Sequence, residues 1–455
     1  MADDQLRTPG DSLTTPPAPQ TARSPLLYLA VLVPLLLLLS PFIWPTPPRT
    51  APRPRTGHYH RTLMSPSAPR TLRFGSFNVR YDRASKHPLL QPVDAVVSAV
   101  SKRVGSNGAG EAEEGQGKKE RWGEHRWHER REKLVDQVLF HELDVVGFQE
   151  VLDGQFEDLK VLMGEEEWGY VGVGRDDGKH AGEAVPIFFR HSRLSLLRTE
   201  HFWLSPTPHV PGSRGWDAGQ PRMVTAAFLR DRLRPSGTGE GRDEADVVVL
   251  NTHWDDRGLL ARTESAKLIL KQVEALVLAP ARERGGQDPL VVLLGDLNSV
   301  AEESGYQVLT GGRYKPRGEG KGEGRAFRDA RHELAARGTR LEGPGAMSGR
   351  FGPLNTFTGF TPSDVPKVID FIMLYSNTAF LPPNSPPPSS LAPAAVAAEK
   401  EEKSPQRGGA RWKVSRYGVV PNFFEDIGGK RGAEEDGMLI SDHRLVVVGV
   451  EEVVG

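Results

Sequence analysis

Six short clusters in this sequence bring carboxylates, amides and imidazoles to hydrophobic runs. Five sit where a run ends: Ser76-Phe77-Asn78-Val79-Arg80, Phe148-Gln149-Glu150, Asn251-Thr252-His253, Gly295-Asp296-Leu297-Asn298-Ser299 and Ser441-Asp442-His443. The sixth, Ile369-Asp370-Phe371, lies inside one. Hard divalent cations such as Mg²⁺ take oxygen ligands, and Asn78, Glu150, Asp296, Asn298 and Asp442 offer them. His253 and His443 can act as a general base and as a hydrogen-bond donor to phosphate. Each cluster also has a plain structural use. An Asp-x-Asn after a strand makes a turn, Asp442 can cap the segment after it, and Asp370 needs only an ion-pair partner to be tolerated in its apolar run.

The clusters need strands to carry them. Apolar or alternating runs predict strands over 72–80, 145–151, 170–174, 184–190, 223–229, 247–253, 290–297, 368–375 and 445–450. Helical periodicity appears over 127–143, 155–163 and 259–277. Four segments rich in Gly, Pro, Glu, Lys and Ser, at about 101–120, 232–245, 311–325 and 380–410, read as surface inserts in one domain. Site-like motifs flank each of them.

Composition narrows the chemistry. The 455 residues carry a formal net charge of −1, so no global basic field advertises nucleic acid. With no cysteine, disulfides, thiolate catalysis and cysteine-ligated zinc are excluded. Hydrophobic residues make up 38%, and 49 Gly with 37 Pro fit a core interrupted by polar insertions.

The N-terminus suggests a membrane. Residues 1–25 read as a disordered tail. Residues 26–44, LLYLAVLVPLLLLLSPFIW, hold no charge and approach the length of about 20 that crosses a bilayer. A single-pass anchor is expected, with a cleaved signal peptide as the alternative, and 45–70 read as a Pro/Arg-rich tether. Arg49, Arg53, Arg55 and Arg61 follow the apolar run, and the positive-inside rule then leaves the domain at 71–455 on the cytosolic side.

Taken in order, Asn-Val, Gln-Glu, Asn-Thr-His, Gly-Asp-Leu-Asn, Ile-Asp-Phe and Ser-Asp-His resemble the motifs of the endonuclease/exonuclease/phosphatase superfamily over about residues 71–451. The forms look most similar to its carbon catabolite repression 4/nocturnin-like branch. The resemblance implies an α/β fold, a four-layer αββα sandwich of two mainly antiparallel sheets with outer helices (DNase I-like). It also implies Mg²⁺ or Mn²⁺, with Asn78, Glu150 and Asp442 as metal-binding residues. Asp296 would orient or activate the attacking water, and Asn298 would help hold the phosphate. His443 would be the catalytic histidine with Asp370 as its carboxylate partner, and His253 would contact phosphate with Glu183 in support.

Segment 173–222 reads as the specificity surface. Arg175, Arg222 and Trp216 in it, with Trp254 and Asn251 beyond it, are the substrate-binding candidates, core packing being the plainer fate of a tryptophan. Three functions follow. One is a nuclease of the 3′-5′ exoribonuclease type acting on RNA or a nucleotide. The second is a membrane-associated phosphatase or phosphodiesterase on a lipid, inositol or other small phosphorylated headgroup. The third is a silent binding module on the same fold. No protein partner is implied.

Overall fold

In strand β7 (Val247–His253), Val247 and Val249 pack on one side, Val248 and Leu250 on the other. A strand buried on both faces reads as an unbroken apolar run, and VVVLNTH does so until its last three residues. The computed structural model describes residues 69–82, 123–234, 244–313, 325–334, 349–377, 411–424 and 437–453. All fall within one compact unit, Pro69–Gly455. The predicted anchor at 26–44, its tail and tether, and most of the four inserts lie outside the described residues. No described helix is long and apolar enough to cross a membrane.

Two six-stranded sheets form the body. The first runs β11 (Arg411–Val419), β14 (Val446–Val453), β1 (Thr71–Asn78), β2 (Val145–Gln149), β4 (Ile187–Arg190), β3 (Trp168–Val171). The second runs β5 (Leu194–Trp203), β6 (Met223–Asp231), β7, β8 (Leu290–Asp296), β10 (Asp370–Tyr375), β9 (Phe327–Asp329). A short pair, β12 (Phe423–Phe424) with β13 (Met438–Leu439), lies apart from both. The sheets are mixed: β1 with β2 and β7 with β8 are parallel, and every other pair is antiparallel.

Apolar side chains from both sheets make the central core, among them Leu72, Val145, Ile187, Val249, Val292, Ile372 and Val448. The outer face of the first sheet packs on helices α1 (Trp127–Phe140) and α2 (Asp153–Met163) through Leu134, Val138, Phe156 and Leu159. The outer face of the second packs on α3 (Leu259–Val273) through Ala266, Ile269 and Val273. Beyond α3 the helix passes through a π-helical turn, Glu274–Leu278, into α4 (Ala279–Glu283). Two further short helices, α5 (Ser304–Leu309) and α6 (Ala330–Glu333), complete the set among the described residues.

Strand parity explains how the fold builds a site. Side chains two apart share a face. On β1, Leu72 and Phe74 face the central core, so Ser76 and Asn78 continue the same face. On β7 the row Val247, Val249 leads to Asn251 and His253; on β8, Leu290, Val292 and Leu294 lead to Asp296; on β10, Leu374 and Ile372 lead back to Asp370. The gap between the sheets is therefore apolar at one end and polar at the other. Asn251 closes the polar end of the core. Fully buried, it donates through Nδ2 to the carbonyls of Phe148 and Pro186, at 2.8 and 2.9 Å, and accepts from Gln149 Nε2 at 2.7 Å. Gly147 makes room for it: a Cβ there would sit 2.7 Å from Asn251 Cγ.

Candidate metal and phosphate centre

Sheet register places three of the side chains in one row. His253 pairs with Asp296 across β7 and β8, and Asp370 pairs with Asp296 across β10 and β8. The first sheet supplies Asn78 and Glu150 from above. Asn78 Nδ2 donates to Glu150 Oε1 at 2.9 Å and to Asp296 Oδ2 at 3.0 Å, so one amide joins the two sheets' acids. Glu150 Oε2 also accepts from the Tyr81 N–H at 3.1 Å.

The backbone is unusual at these strand ends. Arg80, Glu150 and Asn298 adopt left-handed conformations, with φ of 59°, 60° and 46°. Non-glycine residues rarely do so, and such strain collects where surrounding bonds hold a functional geometry in place. At Asn298 the bonds are visible: its N–H donates to Asp296 Oδ1 at 2.9 Å, and its Nδ2 to the Trp254 carbonyl at 3.1 Å.

Asp296 is the hub. It is buried, and both imidazoles reach it, with Nε2 of His253 and Nε2 of His443 each 3.6 Å from Oδ2. Burial pushes its carboxyl up, but His443 and His253, with the bonds from Asn298 and Asn78, hold it below the usual range. His443 Nδ1 faces both oxygens of Asp370, at 3.0 and 2.9 Å. The carboxylate fixes the ring proton on Nδ1 and turns Nε2 toward Asp296. Burial lowers the His443 pKa, yet Asp370, Asp296 and Asp442 overcome that and raise it to about 10. Thr356 Oγ1 accepts from the N–H groups of Ile369 and Asp370, and Phe357 lies edge-on to the His443 ring with centroids 5.1 Å apart.

His253 is held differently. Asn298 Nδ2 donates to its Nε2 at 3.0 Å, which leaves the ring proton on Nδ1, 3.6 Å from Glu183 Oε2. Glu183 is itself gripped by Arg175 through two bonds, at 2.7 and 2.9 Å. Its carboxyl falls to about 2, burial being outweighed by His253, Arg175 and Arg222.

Could this place hold a divalent cation? Glu150, His253 and Asp296 offer ligand atoms within 4.8 Å of one another, and so do Asp296, Asp370 and His443. Carboxylate oxygens dominate both groups, which suits a hard cation. The residues present fit one. Asp442, expected among the metal ligands, belongs to neither group. It is buried on the loop before β14, where burial pushes its carboxyl up to about 6; His443 and Arg80 pull against that shift and Glu150 adds to it.

Several of the substrate-binding candidates already have partners within the protein. Arg175 is committed to Glu183, and a further bond ties it to Gln220. Asn251 spends its amide between the sheets. Trp254 is wholly buried in the outer core beside Ala266 and Ile269, so it offers no face for stacking. Asn298, read as a phosphate holder, bonds His253 Nε2 through its amide. Arg222 is buried against Asp255 at 3.6 Å and Asp256 at 3.1 Å. Asp255 Oδ1 accepts from the N–H groups of Arg257 and Gly258, so it shapes the entry to α3. Trp216 is half-buried with φ at 56°, on a loop whose Asp217 caps α3 through the N–H groups of Leu260 and Ala261.

Sequence reasoning gave no role to Arg80, whose guanidinium lies 3.8 Å from Glu150 and bonds Glu124 at 2.9 Å. Its place two residues after Asn78, at the end of a strand motif, is the signal that marks it. Thr356 and Phe357 carry no such signal, since the bonds that recruit them are tertiary.

Comparison with known proteins agrees with this geometry. The yeast CCR4-Not complex 3′-5′-exoribonuclease subunit Ccr4 (Saccharomyces cerevisiae) is 25% identical over 266 residues, 54% of this chain and 30% of its own length. The chain thus spans about a third of the curated relatives it matches. An endonuclease/exonuclease/phosphatase family protein and a mannosyl-6-phosphatase, both from Bacteroides thetaiotaomicron, share the fold. Each gives a TM-score of 0.52 at 23% identity, covering 84% and 83% of this chain and 98% and 99% of theirs. The profile of the Endonuclease/Exonuclease/phosphatase family matches residues 75–443, from β1 through the His443 loop. With the match reaching from one end of the described site to the other, the chain belongs to the endonuclease/exonuclease/phosphatase family, a family of phosphoester hydrolases.

Proposed function

We propose that this chain is a divalent-metal-dependent phosphoester hydrolase that uses in-line attack by water. The observation that carries the reading is the position of Asp296, within 3.6 Å of two imidazoles and bonded to the amide that also holds Glu150. When bound, a divalent cation would neutralise charge on the scissile phosphoryl group and lower the pKa of a bound water. Asp296, kept ionised, aligns the water and takes its proton. His443, carrying a proton on Nε2, gives it to the departing oxygen as the P–O bond breaks. Asp370 holds that ring in place. His253, with its proton on Nδ1, presents Nε2 as an acceptor toward Asn298 and the same cleft.

For substrate we infer a polyribonucleotide processed from its 3′ end, on the similarity to Ccr4. A small phosphorylated headgroup is the second reading. It is favoured by the arginines around the centre, since Arg80, Arg175 and Arg222 are ion-paired to Glu124, Glu183 and Asp256, whereas a polyanion is ordinarily tracked by free cations. The apolar run at 26–44 would tether the domain at a membrane, on the cytosolic side.

The full chain in detergent should hydrolyse a generic phosphodiester with Mg²⁺ or Mn²⁺ and stop with EDTA. Activity indifferent to EDTA sinks the metal assignment, and cation binding without turnover leaves a silent module. Rates on oligoadenylate against soluble inositol phosphates then separate the two substrates.

A further inference from the structure

Arg130 sits on α1, behind the first sheet, with no exposure at all. A buried arginine ordinarily faces a carboxylate. This one donates to main-chain carbonyls: Nε to His125 at 3.1 Å, Nη1 to Val79 and to Ile440 (the latter at 2.9 Å), and Nη2 to Arg80 at 2.6 Å. Its guanidinium also lies over the Trp127 ring, 5.2 Å from the centroid.

Three of those carbonyls, those of Val79, Arg80 and Ile440, belong to the two segments that present the site. Val79 and Arg80 directly follow Asn78, and Ile440 directly precedes Ser441-Asp442-His443. The segments also share a direct hydrogen bond, the Ser441 hydroxyl donating to the Asn78 carbonyl at 2.7 Å. Arg80 also needs support for its left-handed backbone, and its carbonyl receives bonds from Arg130 and from Gln155 Nε2. The planar fork reaches several carbonyls at fixed angles; a lysine's ammonium, one nitrogen on a flexible stem, does not.

We propose that Arg130 is a positioning residue that sets the spacing between the Asn78 segment and the Asp442–His443 segment, and through it the affinity of the acidic cluster for its divalent cation. This rests on the reading of the cluster as a metal centre. It predicts that Arg130 matters for its shape more than for its charge.

The test compares R130K, R130A and V249A with the wild-type full chain. Val249 lies in the core between the sheets, so V249A lowers stability without touching either segment. Mn²⁺ affinity is read by electron paramagnetic resonance of the free ion, alongside melting temperature without metal and kcat against KM on a generic phosphodiester. R130K should melt cooperatively and bind Mn²⁺ about tenfold or more weakly, as when an outer partner of a metal ligand is lost. Its kcat should fall more than its KM changes. V249A should melt earlier and bind Mn²⁺ as the wild type does. Added guanidinium should restore Mn²⁺ affinity to R130A. Wild-type affinity in R130K overturns the proposal, and so does equal weakening in V249A. If R130K does not fold, the R130A rescue decides, and absence of recovery counts against the proposal. A wild-type chain that takes up no Mn²⁺ overturns the metal centre itself, a separate result because every variant would then read alike.

Discussion

His443 and His253 flank Asp296 almost symmetrically, each with Nε2 3.6 Å from the same oxygen, and each has a carboxylate at its back. The environments then diverge. Asp370 touches His443 Nδ1 with both oxygens. Glu183 stands 3.6 Å from His253 Nδ1 and spends its bonds on Arg175. One ring is a buried, proton-retaining cation locked in a row of acids. The other is steered by an amide and only loosely by an acid whose charge is already matched. Equal distance to a shared carboxylate thus does not mean equal chemistry; what lies behind each ring decides whether it gives up a proton or accepts a hydrogen bond.

The sharpest way to break this contrast is to remove each ring. His443→Ala should lower kcat by about a thousandfold, as when a proton donor and a developing-charge partner are lost together, and His253→Ala by about tenfold to a hundredfold. Steady-state rates with saturating Mn²⁺ check both, and equal losses would mean the rings share one role. Next comes metal affinity. Glu150→Gln should weaken Mn²⁺ binding by about tenfold to a hundredfold, visible as a shifted calorimetric titration, with kcat falling alongside.

The pairs should also separate by pH in the metal-free chain. The His443 pKa is raised from 6.5 to about 10, so its stabilisation is complete below pH 6.5 and fades as pH climbs to 10. The Glu183 pKa is lowered from 4.5 to about 2, so its stabilisation is complete above pH 4.5 and fades as pH falls to 2. In urea denaturation, His443→Gln should flatten the alkaline slope and Glu183→Gln the acid one. The converse pattern would exchange the two assignments.

The smallest effect concerns Asp442. Its pKa rises from 3.8 to about 6, so ionising it opposes folding, fully above pH 6 and not at all below 3.8. Asp442→Asn should raise metal-free stability at pH 7 by on the order of 1 to 3 kcal/mol while weakening activity. A lower melting temperature in that variant contradicts it.

The strands that carry the site were legible because they are buried on both faces. Segment 247–253 was predicted with the bounds it has, and 290–297 and 368–375 differ from β8 and β10 by a residue or two at the ends. Strands β5 and β11 were not read. Both lie at sheet edges, and each holds a bulge, between Leu196 and Arg198 and between Val414 and Arg416. The extra residue shifts the alternation of apolar side chains in mid-strand, which erases the period-two pattern. The helix at 259–277 was read as one element, whereas it changes to a π turn at Glu274. For the site, the order of motifs located the acids and imidazoles, but not which arginines are ion-paired. Arg175 and Arg222 look like phosphate ligands in sequence because nothing local announces Glu183 or Asp256 as their partners. Trp254 follows His253 and, one residue past the row facing the other sheet, falls on the side of the outer core.

Asn251 has a consequence for the search by which the chain reaches its native state. Oily surfaces between two layers can slip past one another at modest cost, and a collapsed but misaligned sandwich would bury nearly as much hydrocarbon. Sliding β7 by a single position would strand that amide, together with the Phe148 and Pro186 carbonyls, in a dry environment at a cost of about 1–3 kcal/mol for each group left without a partner. One polar side chain thereby discriminates against near-miss alignments that a purely greasy interface would tolerate.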